Sequence, residues 1–186
     1  MVLAWSALAY FCMNLPQSWA YAIYDKYELM NKKLLIIGHC PSENTKVLFD
    51  ALAQGAEECK GTSVDVSAMS PFDCNSELVL EADALILFTT ENFGYMSGAL
   101  KDFFERIYYP CLNNPKQCDA KPYSLVIRAG LDGTGTLNSV TKIVKALKWK
   151  TVSKVLLCKG DFQSTFIDDC RTLGGTIAAS LDSELI

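Results

Sequence analysis

The sequence predicts an α/β fold built on a five-stranded parallel sheet with helices on both faces. Two observations carry this reading. Four of the five strand-like segments lack the period-two alternation of a half-exposed strand, the pattern of strands that have no solvent-facing side. Segments with helical repeats separate them, as the crossovers of a parallel sheet require. At 186 residues the chain has room for one domain with a full core, not for two ordinary ones.

The elements follow in order. Residues 34–38 form a short apolar strand, and 45–59 a helix expected to bury Val47, Leu48, Ala51 and Leu52. Residues 63–66 make a weaker strand, where Asp65 marks a half-exposed edge. A short helix over 75–82 leads to the strand 84–88. The next helix is set by Leu100, Phe103, Phe104, Ile107 and Tyr108 at helical spacing, with an i,i+4 ion pair from Asp102 to Arg106 opposite. A strand over 124–129, a helix over 137–147 facing Val140, Ile143 and Val144 inward, a strand over 154–158 and a helix over 167–181 complete the chain. Gly174-Gly175 weakens that last helix by about 1 kcal/mol per glycine, or marks a close approach to the sheet, or a break.

Composition removes several function classes. Half the residues are apolar and a fifth charged, and the net charge of −4 lacks the basic footprint of a nucleic-acid binder. No block of like charges is present to dock on an anionic membrane, and no internal repeat or low-complexity segment occurs. None of the eight cysteines has a partner three positions away, so zinc-ribbon and thioredoxin-type spacings are missing. Cys59 and Cys158 sit in helical or apolar patterns, where a reduced cysteine acts as a small hydrophobe. A reduced, cytoplasmic protein is the expectation. Cys111 and Cys118 flank a polar loop and could bridge on oxidation, although reduced thiols are the expectation. Residues 1–29 stand apart: 1–24 are uncharged, without a basic n-region, and Pro16 interrupts the run short of a membrane span. They read as an upstream extension or an added helix, and residues 30–186 as the functional domain.

Three loops at carboxyl ends of strands then stand out, where ligands of open α/β sheets bind. The first, 38–45, places Ser42, Asn44 and Thr45 at a helix N-terminus, which suits either a phosphate or a plain helix cap. It is neither a P-loop nor a dinucleotide turn. The second, 89–96, offers hydroxyls, amides and two aromatic rings suited to a flat polar heterocycle, or folds Phe93 and Tyr95 onto the core. The third, 128–135, has three glycines in six residues, which permit close backbone approach or simply a turn around Asp132. In the strand order 2-1-3-4-5 the three loops converge at the switch point between the first and third strands.

From about Met30 onward the chain resembles the flavodoxin-like superfamily, in its NAD(P)H-dependent FMN reductase and quinone reductase branch. The residues that carry the resemblance are G-x-x-x-S-x-N-T at 38–45, T-T-E-N-F-G-Y-M-S-G-A-L-K-D-F-F at 89–104 and A-G-L-D-G-T-G at 129–135. The resemblance implies a three-layer sandwich and an FMN-dependent oxidoreductase that takes a hydride from NADH or NADPH and passes electrons to a quinone, flavin or similar small acceptor. It implies that Ser42, Asn44 and Thr45 hold the FMN phosphate. Thr90, Glu91, Asn92, Phe93, Gly94 and Tyr95 would line the isoalloxazine ring, with backbone N–H groups reaching N5 and O4. Gly130, Asp132 and Gly133 would close the other side. The chain departs from true flavodoxins, which carry T-x-T-G-x-T and are strongly acidic, and has Pro41 where FMN reductases often have arginine.

No acid–base dyad is needed, since the flavin carries the chemistry; Tyr95 is the candidate substrate contact. A Cys-His hydrolase built on His39 and Cys40 is disfavoured, because neighbours in an extended loop point apart and no orienting third group is evident. One histidine without a cysteine motif gives no metal site. The alternative reading is a non-enzymatic single-electron carrier or regulatory module, which the modest charge disfavours. Tyr108 and Tyr109 belong to a homodimer interface, as in many relatives, or cover their own sheet.

Overall fold

A computed structural model describes residues 31–61 and 63–186. The expectation for residues 1–29 lies outside the described residues. The elements are β1 (Lys32–Gly38), α1 (Glu43–Cys59), β2 (Val64–Met69), α2 (Ser76–Glu81), β3 (Ala84–Asn92), β4 (Tyr95–Met96), α3 (Gly98–Asn113), α4 (Pro115–Cys118), β5 (Pro122–Ala129), α5 (Thr134–Ala146), β6 (Lys150–Thr151), β7 (Leu156–Lys159) and α6 (Thr165–Asp182).

The parallel sheet runs β2-β1-β3-β5, with β6 and β7 both paired to β5. With β6 and β7 taken as one interrupted strand, and β4 set aside as an antiparallel tab on β3, this is the expected order 2-1-3-4-5. The apolar runs divide their side chains between two cores, which explains why they show no alternation. Leu35, Ile37, Leu85, Leu87, Leu125 and Ile127 face the layer that holds α3 and α5. Leu34, Ile36, Ala84, Ile86, Phe88 and Val126 face the layer that holds α1 and α6.

Several expectations are sharpened or corrected. Val47 is exposed, while Leu48, Ala51 and Leu52 are buried. The Asp102–Arg106 pair forms, with Arg106 Nε 2.7 Å from Asp102 Oδ2. The same guanidinium also donates to the carbonyls of Cys74 and Pro71, fastening the loop before α2 to α3. The glycines of α6 mark a close approach, but to a helix and not to the sheet. A methyl group on Gly174 would lie 2.0 Å from the Leu52 carbonyl oxygen of α1, and one on Gly55 of α1 would lie 2.0 Å from that of Arg171. The two helices therefore touch backbone to backbone. All seven described cysteines are free thiols; Cys158 is buried as expected, but Cys59, the last residue of α1, is exposed. Among the described residues no helix is long and apolar enough to cross a membrane.

Candidate functional site

The site is assembled at the carboxyl edge of the sheet, where β1 and β3 lie side by side and their crossovers leave toward opposite faces. Gly38 pairs with Phe88 in the register, and the His39 N–H donates to the Phe88 carbonyl at 3.3 Å. The first loop is thus tied to the strand that carries the second.

In the first loop the helix cap takes the hydroxyls. Ser42 is the N-cap of α1, in extended backbone conformation. Its Oγ accepts from the Thr45 N–H at 3.4 Å, and Thr45 Oγ1 accepts from the Ser42 N–H at 3.0 Å and donates to the Ser42 carbonyl at 2.7 Å. Thr45 is only 4% exposed. The first intrahelical bond runs from the Lys46 N–H to the Ser42 carbonyl. The N–H groups of Glu43 and Asn44 therefore precede the helical ladder and face the positive end of the helix dipole. Lys46, one turn in, is exposed and paired with Asp50.

The second loop is a hairpin rather than an irregular turn. β3 continues through Thr89 and Thr90 to Asn92, and Glu91 and Asn92 pair with Met96 and Tyr95. Phe93 and Gly94 form the two-residue tip with φ of 54° and 72°, the doubly positive geometry of a type I′ connection. Thr89 is buried beneath it. Its hydroxyl accepts from the Ser97 N–H and donates to Ser97 Oγ, each at 3.2 Å, while Ser97 Oγ caps α3 through the Leu100 N–H at 3.2 Å. The Phe93 ring is wholly in solvent, at 109% relative exposure, so it does not fold onto the core. Tyr95 is also exposed.

The third loop closes onto this hairpin. Glu91 Oε2 accepts from the Leu131 N–H at 3.0 Å, and a methyl group on Gly135 would lie 1.9 Å from the Gly94 carbonyl oxygen. Asp132 takes the turn role: Oδ1 accepts from the Thr134 N–H at 2.9 Å, a bond that holds its carboxyl below the usual range. Gly133 caps α5 in the left-handed region at φ 70°, and Gly130 faces open space.

Two features carry little mark in the sequence: the orphaned burial of Thr90, expected above only as a ring-lining residue, and the role of Arg128. Thr90 Oγ1 is buried with no hydrogen-bond partner, on the α1 side of β3. Its register partner Arg128 donates to the carbonyls of Ala129, Cys158 and Gly160 at 2.5, 3.1 and 2.7 Å, tying the ends of β5 and β7 together beside the Phe166 ring. The only advance signal was Arg128 standing where an apolar strand gives way to a glycine-rich loop.

The surroundings of Cys40 disfavour the thiolate that a nucleophile needs. Burial, aided by Asp50, pushes its thiol up to about 11, and His39 instead sets its ring edge-on to Phe72. Burial likewise raises Cys74 to about 11 despite Arg106 nearby. Against an ordinary thiol at 9.0, these residues stay neutral in the folded state while the unfolded chain ionises first. The folded state therefore loses stability from each of them as pH rises from about 9 toward 11. Alkylation followed by peptide mass analysis is expected to give a modification midpoint near pH 11 for the half-buried Cys40 in native protein, and about 2 units lower in denaturant.

The profile of the family described as NADPH-dependent FMN reductase matches residues 31–162. The chain belongs to that family. It is an FMN-binding flavoprotein oxidoreductase with a flavodoxin-like fold. Among solved structures similar to this FMN reductase family member, a flavodoxin from the domain Archaea is 20% identical with a TM-score of 0.67, covering 80% of this chain and 98% of its own. Rubredoxin oxygen:oxidoreductase from Desulfovibrio gigas is 15% identical with a TM-score of 0.66; 90% of this chain matches 41% of that one. A flavodoxin, WrbA-like protein from Agrobacterium tumefaciens is 16% identical with a TM-score of 0.62, covering 83% of this chain and 98% of its own. At these identities the likeness is one of fold. No curated protein matches the chain. The residues present fit FMN: free N–H groups open α1 after β1, a hairpin held by the Glu91–Leu131 bond ends the neighbouring β3, and the buried Thr90 hydroxyl on β3 is orphaned.

Proposed function

We propose that this protein oxidises NADPH or NADH and delivers the electrons to a small-molecule acceptor, with FMN held at the carboxyl edge of β1, β3 and β5. The observation that carries the reading is the joining of three loops at one switch point: the His39–Phe88 bond ties the first to β3, and the Glu91–Leu131 bond ties the hairpin to the third. The family description favours NADPH as the donor.

When bound, FMN supplies the centre that accepts the hydride and releases electrons singly or in pairs. The chain supplies position and charge. The N–H groups of Glu43 and Asn44 receive the phosphate at the helix N-terminus, with Ser42 and Thr45 acting through the cap that fixes those amides instead of through their own hydroxyls. Asn44 adds a side-chain amide at the same turn. Thr90 Oγ1 donates to or accepts from a polar atom of the cofactor, which relieves its unmatched burial. The backbone of Glu91, Asn92, Phe93, Gly94 and Tyr95 would line the ring edge, where fixed amide dipoles would stabilise developing negative charge without reorganising. Gly130 would keep the third loop free of side-chain bulk beside the ring, while Gly133 supplies the left-handed turn into α5 against Leu157 and Asp132 holds that turn. The acceptor is a quinone, flavin or similar molecule, with Tyr95 beside it.

Anaerobic mixing of FMN-loaded protein with NADPH, and separately with NADH, tests this. Rapid loss of the visible flavin absorbance with at least one nucleotide is expected. Retention of the colour with both would leave an FMN protein that is not a pyridine-nucleotide reductase.

A further inference from the structure

We propose that Phe72, on the loop after β2, is the face on which the adenine of the pyridine-nucleotide donor stacks, with His39 at its edge. The proposal deepens the reductase reading above and rests on it. Ile37 pairs with Met69 at the end of β1 and β2, so this loop starts beside the first loop. Pro71 and Cys74 are buried, while Phe72 and Asp73 between them stand exposed. The Phe72 ring is 63% exposed and belongs to neither core. It meets the His39 ring at 86° with the centroids 6.4 Å apart, so the two rings form a corner and not a closed stack.

The turn that carries the ring is fixed from behind. The Asp73 N–H donates to the Ser70 carbonyl at 3.1 Å, and the Phe72 N–H to Ser70 Oγ at 3.3 Å. Arg106 of α3, itself paired with Asp102, donates to the Pro71 and Cys74 carbonyls at 2.5 and 2.7 Å. A large apolar ring held in water by this many bonds forgoes the stabilisation of burial, which a planar ligand covering it restores.

Position selects the occupant. β2 stands two strand spacings from β3 and three from β5, about 10–14 Å from the hairpin and the third loop, beside which the cofactor ring is proposed to lie. A small acceptor resting on Phe72 would be out of reach of that ring. A dinucleotide carries a second ring system beyond its pyrophosphate and can touch both places. Its purine offers a face for stacking on an aromatic side chain, and Asp73 offers a carboxylate acceptor to the exocyclic amine. One exposed ring is far below the ~800 Å² per partner of a stable protein interface.

The test compares FMN-loaded wild type with F72A and F72W. The donors are the nicotinamide dinucleotide that wild type oxidises and reduced nicotinamide mononucleotide, which lacks the adenosine half. In F72A the ratio of dinucleotide to mononucleotide kcat/KM is expected to fall about tenfold, the scale of a lost base–aromatic stack. F72W is expected to keep the wild-type ratio. Calorimetric titration with the oxidised dinucleotide is expected to show the same loss of affinity in F72A, with the Kd for FMN unchanged. An unchanged ratio in F72A, a ratio lost equally in F72W, or a weakened Kd for FMN overturns the proposal. So does a change of oligomeric state on sedimentation, which would make the ring a contact between copies. If neither NADPH nor NADH reduces wild-type protein, the reductase reading itself fails; if wild type turns over and F72A keeps the ratio, this proposal alone fails.

Discussion

Gly174→Ala is expected to destabilise the protein, although alanine is the better helix former by about 1 kcal/mol. The added methyl group would lie 2.0 Å from the Leu52 carbonyl oxygen and 3.1 Å from the Ala56 nitrogen, both backbone atoms of α1. Neither can turn aside as a side chain would. Ordinary contact begins near 3.4 Å, so α1 and α6 must part by about 1.4 Å at their closest point. That strains a layer in which Leu48, Leu52, Ala56, Ile177, Ala178 and Leu181 are almost wholly buried. Overpacking of this kind costs about 1–3 kcal/mol and outweighs the propensity gain. Thermal unfolding is expected to show a Tm lowered by several degrees, at about 2–4 °C per kcal/mol for a chain of this size. Gly98→Ala provides the contrast. Nothing lies within 4 Å of a methyl group there, and stability is expected to hold or rise.

Gly135→Ala is expected to weaken FMN binding about tenfold or more while leaving the sheet intact. The methyl group would lie 1.9 Å from the Gly94 carbonyl oxygen, so hairpin and third loop must separate by about 1.5 Å. The Glu91–Leu131 bond at 3.0 Å cannot span such a shift. The hairpin amides proposed to face the ring edge would lose their fixed placement, and overpacking of about 1–3 kcal/mol, taken out of binding, corresponds to a five- to 150-fold loss of affinity. Fluorescence titration with FMN measures it. Far-UV circular dichroism close to wild type would separate the effect from unfolding.

The fold was legible because burial on both faces leaves a plain mark. Runs such as Leu34-Leu35-Ile36-Ile37 and Ala84-Leu85-Ile86-Leu87-Phe88 fill two cores at once, and only a covered parallel sheet needs that. The interruption between β6 and β7 carried no such mark, since Ser153 and Lys154 resemble any strand-end residues. The Gly174-Gly175 pair signalled a close approach but not its partner, because which surface a glycine touches is a tertiary fact.

At the site, the loops were legible and their internal geometry was not. Thr89 and Thr90 look like loop residues, yet they extend β3, one buried in a hydroxyl network and the other orphaned. The hairpin tip was obscured because the left-handed residue is Phe93, not the Asn or Asp that announces a type I′ turn. Ser42 and Thr45 met both a phosphate pattern and a capping pattern; the structure shows the capping bonds, at 3.0 and 2.7 Å, while the phosphate contact stays a proposal. Asp132 likewise resolves to a turn residue.

On the proposed function, FMN would lie at one edge of the sheet, between loops that are dozens of residues apart in the sequence. Amide chemical-shift mapping of isotope-labelled protein titrated with FMN tests that placement most directly. The largest shifts are expected at Glu43 and Asn44, across Glu91 to Tyr95, and at Gly130 to Gly133, rising together to saturation at one equivalent. Shifts confined to the outer face of α3 around Tyr108 and Tyr109, with the hairpin amides unmoved, would contradict it.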